Sequence, residues 1–321
     1  MNKVLVTGAN GFIGQALCVE LLSQGYDVVG SVRDIKNIQK INNVEYLESG
    51  NIEKKNNWKE NLIGCKFIIH CAGKTSNLKN IKDSNSYTSI NFDATIKLAE
   101  QAVNAGVKKI IFLSSIKVLG EVSGNELSKT NQKKKIFTNT DIPNPENSYA
   151  KSKYEAEKAL LEMSKKNDLE IVILRLPIVY GLMAKGNLNR LIKLVRIGLP
   201  LPFALINNKR SMIGIDNLVN LIIRCLNKPE ASGKTLLVSD GDDLSTKDLI
   251  YHISLALGKP MRLFPVPSFI LKILGALLGK KDDMQKLLGT LQIDSSYTRK
   301  LLKWNPPVRV SDGIRSMVTG K

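Results

Sequence analysis

Thr7-Gly8-Ala9-Asn10-Gly11-Phe12-Ile13-Gly14 follows a short apolar run, residues 3–7, and opens a stretch of helical apolar spacing, residues 12–23. Strand, glycine turn and helix in that order decide the fold class. Gly8 permits the tight turn, Gly11 lets the backbone approach a pyrophosphate, and Gly14 lets the helix pack close to the sheet. The first turn of such a helix offers N–H groups and a partial positive charge to phosphate oxygens. Gly25 then stops the helix as a C-cap glycine does.

The same alternation continues outward from this turn. Further strands are predicted at 27–32, 44–47, 66–71, 109–114, 170–176 and 235–239. Helices are predicted at 91–105, 149–165, 187–197, 216–226 and 245–257, the last with Ser245 as N-cap. Apolar strands alternating with helices imply a doubly wound parallel sheet of Rossmann type. A smaller, partly interleaved α/β domain is expected to follow. The division falls at 1–181 for the sheet domain, with a return segment near 210–240, and 182–321 for the second domain. The polar stretch 120–148 is too long for a simple crossover and reads as a functional excursion. Residues 268–281 are strongly apolar with a meagre polar face, which predicts a helix buried in the second domain rather than one lying on a membrane or partner.

Composition excludes several classes. The chain of 321 residues has four cysteines without a CxxC pair and two distant histidines, so neither a disulfide framework nor a metal centre is expected. No run of apolar residues is long enough for a transmembrane helix, and the N-terminus lacks a signal-peptide core. The site of action is expected to be cytoplasmic. The net charge of +18 comes from 37 Lys and ten Arg spread along the chain. The densest cluster, Lys133, Lys134 and Lys135, lacks flanking aromatics, so no nucleic-acid partner is expected. The field suits a polyanionic small molecule.

Three features carry chemistry. The second strand ends Ser31-Val32-Arg33-Asp34. An acidic residue at its end would accept hydrogen bonds from the ribose of NAD, and Arg33 instead suits the extra phosphate of NADP. NADP is therefore the expected cofactor, with NAD possible. Tyr149 and Lys153 are spaced i,i+4 on one helix face. A phenol is a poor base near neutrality, and an adjacent ammonium favours its ionised form. Tyr149 then exchanges a proton with a carbinol oxygen while hydride moves to or from a nicotinamide. Ser115 ends the strand 109–114, at the sheet edge where ligands bind, and orients the substrate oxygen.

Together these motifs resemble the extended short-chain dehydrogenase/reductase family, in its nucleotide-sugar epimerase/dehydratase branch. TGANGFIG at 7–14, His70-Cys71-Ala72-Gly73, Asn91, SSIKVLG at 114–120, Tyr149/Lys153 and LRLPIVYG at 174–181 occur in the family's order. The resemblance implies a catalytic trio of Ser115, Tyr149 and Lys153. It places Gly8, Asn10, Gly11, Phe12, Ile13, Gly14, Arg33, Asn51, Ile52, Ala72, Gly73, Lys74, Asn91, Tyr149, Lys153, Leu176, Pro177 and Val179 around the cofactor. The substrate, a UDP-sugar, is expected at Ser115, Ile116, Lys117, Asn187, Leu188, Leu201, Phe203 and Arg210, with Arg210 on the diphosphate. Many relatives pair long helices into a four-helix bundle, which implies a homodimer.

Dehydratases of this branch carry an acidic pair where this chain has Ile116 and Lys117, so dehydration is not expected. The motifs look most like those of enzymes that reduce a UDP-2-acetamido-2,6-dideoxy-4-keto-hexose at C4 for bacterial surface polysaccharides. The expected function is that reduction. The alternatives are a UDP-glucose or UDP-N-acetylglucosamine 4-epimerase, and, from another class, a non-catalytic NADP-sensing regulatory protein.

Overall fold

Runs rich in Val, Ile and Leu form the strands β1 (Lys3–Thr7), β2 (Asp27–Val32), β3 (Val44–Glu48), β4 (Cys65–His70), β5 (Lys109–Ser115), β6 (Glu170–Leu176), β7 (Ile178–Tyr180), β8 (Met212–Gly214) and β9 (Lys234–Leu237). The computed structural model describes residues 2–36, 38–54, 57–75, 84–123, 136–184 and 186–320. The expected excursion 120–148 is covered at its two ends, while 124–135, with the Lys133, Lys134 and Lys135 cluster, lies outside the described residues.

Seven strands form one parallel sheet in the order β3-β2-β1-β4-β5-β6-β9. The chain winds outward from β1 to β3, returns beside β1 as β4, and then winds the other way. The switch point therefore lies between β1 and β4, where Thr7 pairs with His70. In such sheets ligands sit outside the carboxyl ends of the strands at this crevice.

The helices are α1 (Phe12–Ser23), α2 (Lys59–Leu62), α3 (Ser84–Thr88), α4 (Ala94–Asn104), α5 (Ser148–Lys166), α6 (Asn187–Arg196), α7 (Ile215–Asn227), α8 (Thr246–Ala256), α9 (Ser268–Leu277), α10 (Lys281–Leu288), α11 (Ser296–Leu302) and α12 (Val310–Thr319), with α1 and α7 on one face of the sheet and α4 and α5 on the other. Alternate strand residues point to opposite faces. Val4, Val6, Ile69, Ile111 and Val172 pack with Leu17, Leu21, Leu218 and Ile222 of α1 and α7. Leu5, Ile68, Ile110, Phe112 and Ile171 pack with Leu98, Ala102, Ala156 and Leu160 of α4 and α5. A third cluster joins α6, α8 and α12 around Tyr180 and Phe203. Tyr180 donates to Asp240 at 2.7 Å, and Asp240 also accepts from Gly214 N and from Asn217, which ties β7, β8 and α7 to the strand β9 edge.

Two expectations need correction. The helix expected at 91–105 starts earlier, as α3 followed by a π-helical turn at Ser89–Asp93 that carries Asn91. Extra turns of this kind recur at functional sites. The apolar segment expected to form a buried helix is mostly exposed: in α9 only Leu271 and Gly275 are buried. Its exposed apolar residues form a broad stripe, while Leu271 joins the third cluster and Gly275 meets Met284 of α10.

Candidate active site

The turn between β1 and α1 is built by close backbone approach. Gly8 has φ +66°, and Gly11 N donates to Gly8 O at 2.9 Å. A Cβ on Gly14 would overlap Gly8 O and come 2.8 Å from Ala9 Cα, so only glycine fits. Ala9 N donates to Ser31 O at 3.1 Å and fastens the turn to the end of β2. No side chain caps α1 and its first turn carries no acid, which leaves the helix N-terminus suited to an anion. These features fit the pyrophosphate of a dinucleotide. Asn10 and Gly11 are exposed at the turn, and Phe12 and Ile13 are half-buried. Arg33 and Asn51 are exposed at the ends of β2 and β3, with Ile52 half-buried beside them.

On the other side of the switch point a chain of hydrogen bonds locks the end of β4. Ala72 N donates to Thr7 Oγ1 at 3.1 Å. Thr7 Oγ1 lies 2.7 Å from His70 Nδ1, and His70 Nε2 lies 3.0 Å from Thr95 Oγ1. The Thr95 hydroxyl donates its proton to Asn91 O at 2.8 Å. It must therefore accept from His70 Nε2–H, which leaves Nδ1 to accept from Thr7. Burial holds the His70 pKa down to about 3, so the ring stays neutral and this direction is fixed. Asn91 in turn accepts from Lys74 N at 2.8 Å and donates to Lys74 O at 3.1 Å. Its amide also donates to Ser152 on α5. Gly73 passes so close to Asn91 and Lys153 that its Cβ would stand 3.0 and 3.3 Å from Oδ1 and Nζ. Ala72, Gly73, Lys74 and Asn91 thus form one wall of the crevice, and Leu176, Pro177 and Val179 follow β6 nearby.

Asn147 caps α5 by accepting from Ala150 N at 2.8 Å, which aims the first turn and Tyr149 toward the end of β5. The half-buried Tyr149 reaches the neighbourhood of Ser115, whose hydroxyl acts on it electrostatically. Burial raises the Tyr149 pKa, Ser115 lowers it, and nearby Tyr87 and Glu121 raise it again. Lys153 is not on this hydroxyl. Its Nζ donates to Leu113 O at 2.8 Å, and burial lowers its pKa to about 8. The direct pairing expected from the i,i+4 spacing is corrected: one turn of helix sets the ammonium down at the sheet, beside Gly73.

Several residues beside the candidate site escaped the sequence reading. Glu121 takes an ion pair from Lys117 at 2.8 Å and a hydrogen bond from Asn147. Its charge also acts on Tyr149 and Arg210, so these side chains converge. Nothing marks Glu121 in the sequence except its distance of four residues from Lys117. Below the trio, Glu157 holds Arg175 in a buried ion pair at 2.7 Å and accepts from Ser114 at 2.5 Å.

The substrate residues are placed unevenly. Arg210 donates to Gly289 O at 3.1 Å, while its buried Nε has no hydrogen-bond partner among the described residues. An anion such as a diphosphate fits that donor. Asn187 and Leu188 open α6. Leu201 and Phe203 are packed in the third core cluster, and Ile116 in a fourth with Phe137 and Ile293. These three side chains serve packing, and contact with a ligand there would fall to the backbone.

Comparisons with known proteins bear on the family and the fold. The profile of the NAD dependent epimerase/dehydratase family matches residues 4–239. A UDP-glucose 4-epimerase of Vibrio cholerae is 39% identical over 318 residues, covering 98% of this chain and 94% of that protein. Among solved structures, a UDP-glucose 4-epimerase of Thermotoga maritima with UDP-glucose superposes with TM-score 0.77 at 20% identity, covering 98% of this chain and 97% of that one. A UDP-glucuronic acid 4-epimerase of Bacillus cereus in complex with NAD has TM-score 0.77 at 23% identity, covering 99% of both chains.

Proposed function

We propose that this chain, which belongs to the NAD dependent epimerase/dehydratase family, is an enzyme that inverts C4 of a UDP-linked hexose with retained NAD. The observation that carries the reading is the convergence of Tyr149, Ser115 and Lys153 at the end of β5, beside the switch point. The similarity to UDP-glucose 4-epimerases supports epimerisation over the reduction expected from the sequence. It also supports NAD over NADP, as does the NAD-bound relative. Family membership stands against the non-catalytic sensor.

When bound, the nicotinamide supplies a hydride acceptor and donor for sugar C4. The chain's own groups do the rest. The glycine turn and the N-terminus of α1 hold the cofactor pyrophosphate. Arg210 holds the UDP diphosphate. Ser115 orients the C4 oxygen. Tyr149, once ionised, takes the proton from that oxygen as it becomes a carbonyl, and returns it when the alcohol reforms on the other face. Lys153 holds the nicotinamide ribose from beneath the crevice, beside Gly73. Residues 1–181, with the return segment near 210–240, form the cofactor half, and 182–321 form the sugar-nucleotide half. A homodimer in the cytoplasm completes the reading, in keeping with four free cysteines.

A second reading rests on Arg33, which is exposed at the end of β2 where a ribose phosphate would reach it. It is the NADPH-dependent C4 reduction of a UDP-2-acetamido-2,6-dideoxy-4-keto-hexose. One experiment separates the two. The purified protein is denatured, the released nucleotide is identified, and fresh protein is offered UDP-glucose and UDP-N-acetylglucosamine without added cofactor. Released NAD with formation of the C4 epimer supports the first reading. An empty site that takes NADPH and reduces a UDP-4-keto sugar supports the second. Turnover of no UDP-sugar under either condition rejects both.

A further inference from the structure

Helix α9 presents an apolar stripe to solvent. Its buried residues, Leu271 and Gly275, face α10, and a Cβ on Gly275 would overlap Met284. Phe269, Ile270, Ile273, Leu274, Leu277 and Leu278 are exposed, Leu277 by 79% and Leu278 by 70%. They recur at i, i+1, i+4, i+5, i+8 and i+9, a single stripe along the helix. Met261 and Phe264, just ahead of it, are exposed as well. Contiguous apolar exposure of this kind marks an interaction surface.

The charge of the segment identifies the partner. Lys259, Arg262, Lys272 and Lys280 are exposed in α9 and just around it, and over residues 247–286 seven basic residues outnumber three acidic ones, Asp248, Asp282 and Asp283. Two copies meeting through this face would bring like charges together. An acidic lipid surface meets both the charge and the apolar stripe. The helix has ten residues, and no helix among the described residues is long and apolar enough to cross a membrane. It is suited to lie in the interface instead.

We propose that α9 docks the protein on an anionic bilayer surface, with Phe269, Ile273, Leu274, Leu277 and Leu278 entering the boundary between headgroups and acyl chains. The proposal is independent of the reaction, since vesicle binding needs no turnover. The test is co-sedimentation of the full chain with vesicles of phosphatidylethanolamine and phosphatidylglycerol, against vesicles of phosphatidylcholine. Binding to the anionic vesicles is expected to exceed that to phosphatidylcholine by at least about tenfold, and to weaken between about 0.1 M and about 0.5 M salt. The double variant Ile273→Asp/Leu277→Asp should lose at least about tenfold in binding. Unchanged circular dichroism and NAD affinity would certify its fold. The proposal is overturned if the wild type does not sediment with anionic vesicles, or if the folded double variant binds as well. It is also overturned if light scattering shows a dimer that the double variant dissolves while neither form binds vesicles, which would assign the stripe to a second copy.

Discussion

Lys153 donates to the carbonyl oxygen of Leu113 at 2.8 Å and stands 4.5 Å from the centroid of the Phe112 ring, so its charge is spent on β5 and not on the Tyr149 hydroxyl one turn away. The ammonium is enclosed by the sheet, Gly73 and Cys71, and receives partial compensation from Glu157. The Tyr149 pKa is meanwhile raised by burial, with Ser115 lowering it and Tyr87 and Glu121 raising it. The pair is thus divided. One member stands at the end of β5, and the other is a desolvated cation beneath it.

That cation makes stability depend on pH in a particular direction. The folded pKa of Lys153 is lowered from 10.5 to about 8. Between those values the unfolded chain binds more protons, so this group makes the fold more stable as pH rises from about 8 to 10. Below that window both states are protonated and the full burial penalty is present. Lys153→Met removes the penalty and its pH dependence. The melting temperature of the wild type, measured against Lys153→Met, should therefore rise across the window. A gap that is constant, or that moves the other way, would show that Lys153 is not a desolvated cation.

Tyr149→Phe should lower kcat by about 10²–10⁴-fold, the range for loss of a positioned acid–base group. Its ring stays packed beside Tyr87, and the cofactor pocket is untouched. NAD affinity, measured by titration, should change by no more than about twofold. Retained turnover in the folded variant would remove Tyr149 from the reaction.

The sheet was legible because strands buried on both faces read as continuous apolar runs, and because the glycine turn has no other economical use. Tyr149 and Lys153 stood out by their i,i+4 spacing, while the proposed trio with Ser115 came from the family resemblance. What the sequence hid were contacts between distant segments. The Glu121–Lys117 pair acquires its meaning only when Asn147 and Arg210 come near it. The Thr7–His70–Thr95 chain joins three elements that no local pattern connects. Helix α9 defeated the reading for another reason: periodicity reports an apolar stripe and says nothing of whether a neighbour covers it.

Glu157 should act as a structural keystone under β5 and β6. It accepts two bonds from Arg175 Nε and one from Nη2, with Ser114 as a further donor, all buried. Glu157→Leu leaves a guanidinium without its partner, a change that typically costs about 3–5 kcal/mol. The melting temperature should fall by roughly 10 °C. Replacing both partners, Glu157→Leu with Arg175→Met, should restore most of it, since no stranded charge remains. A single variant as stable as the wild type would show the pair to be dispensable.

Gly14→Ala sets two effects against each other. In a helix alanine is favoured over glycine by about 1 kcal/mol. Here the added methyl meets fixed backbone, Gly8 O and Ala9 Cα, the latter at 2.8 Å. Relief requires moving α1 away from the turn, and overpacking of this kind costs about 1–3 kcal/mol. The clash should win. Net destabilisation is expected, together with weaker NAD binding, because the displaced helix end is the part that faces the pyrophosphate. Stabilisation with unchanged NAD affinity would mean that the turn tolerates a wider spacing than its contacts indicate.

Arg210 offers the sharpest separation of cofactor from substrate. Burial lowers its pKa to about 10, which leaves it cationic throughout the working range, and Glu121 is the charge that favours this. One guanidinium nitrogen is engaged by Gly289 O, while the buried Nε lacks a partner. A buried donor without a partner is costly unless a ligand supplies the acceptor. A charge-assisted bond to a phosphate oxygen contributes about 1.5–3 kcal/mol, or roughly 10–100-fold in affinity. Arg210→Met should therefore raise KM for the UDP-sugar by roughly that factor, with NAD affinity unchanged. Arg210→Lys should recover only part, because an ammonium cannot span the diphosphate with two fixed donors. An Arg210→Met variant that binds UDP as tightly as the wild type in calorimetry would move the diphosphate site elsewhere.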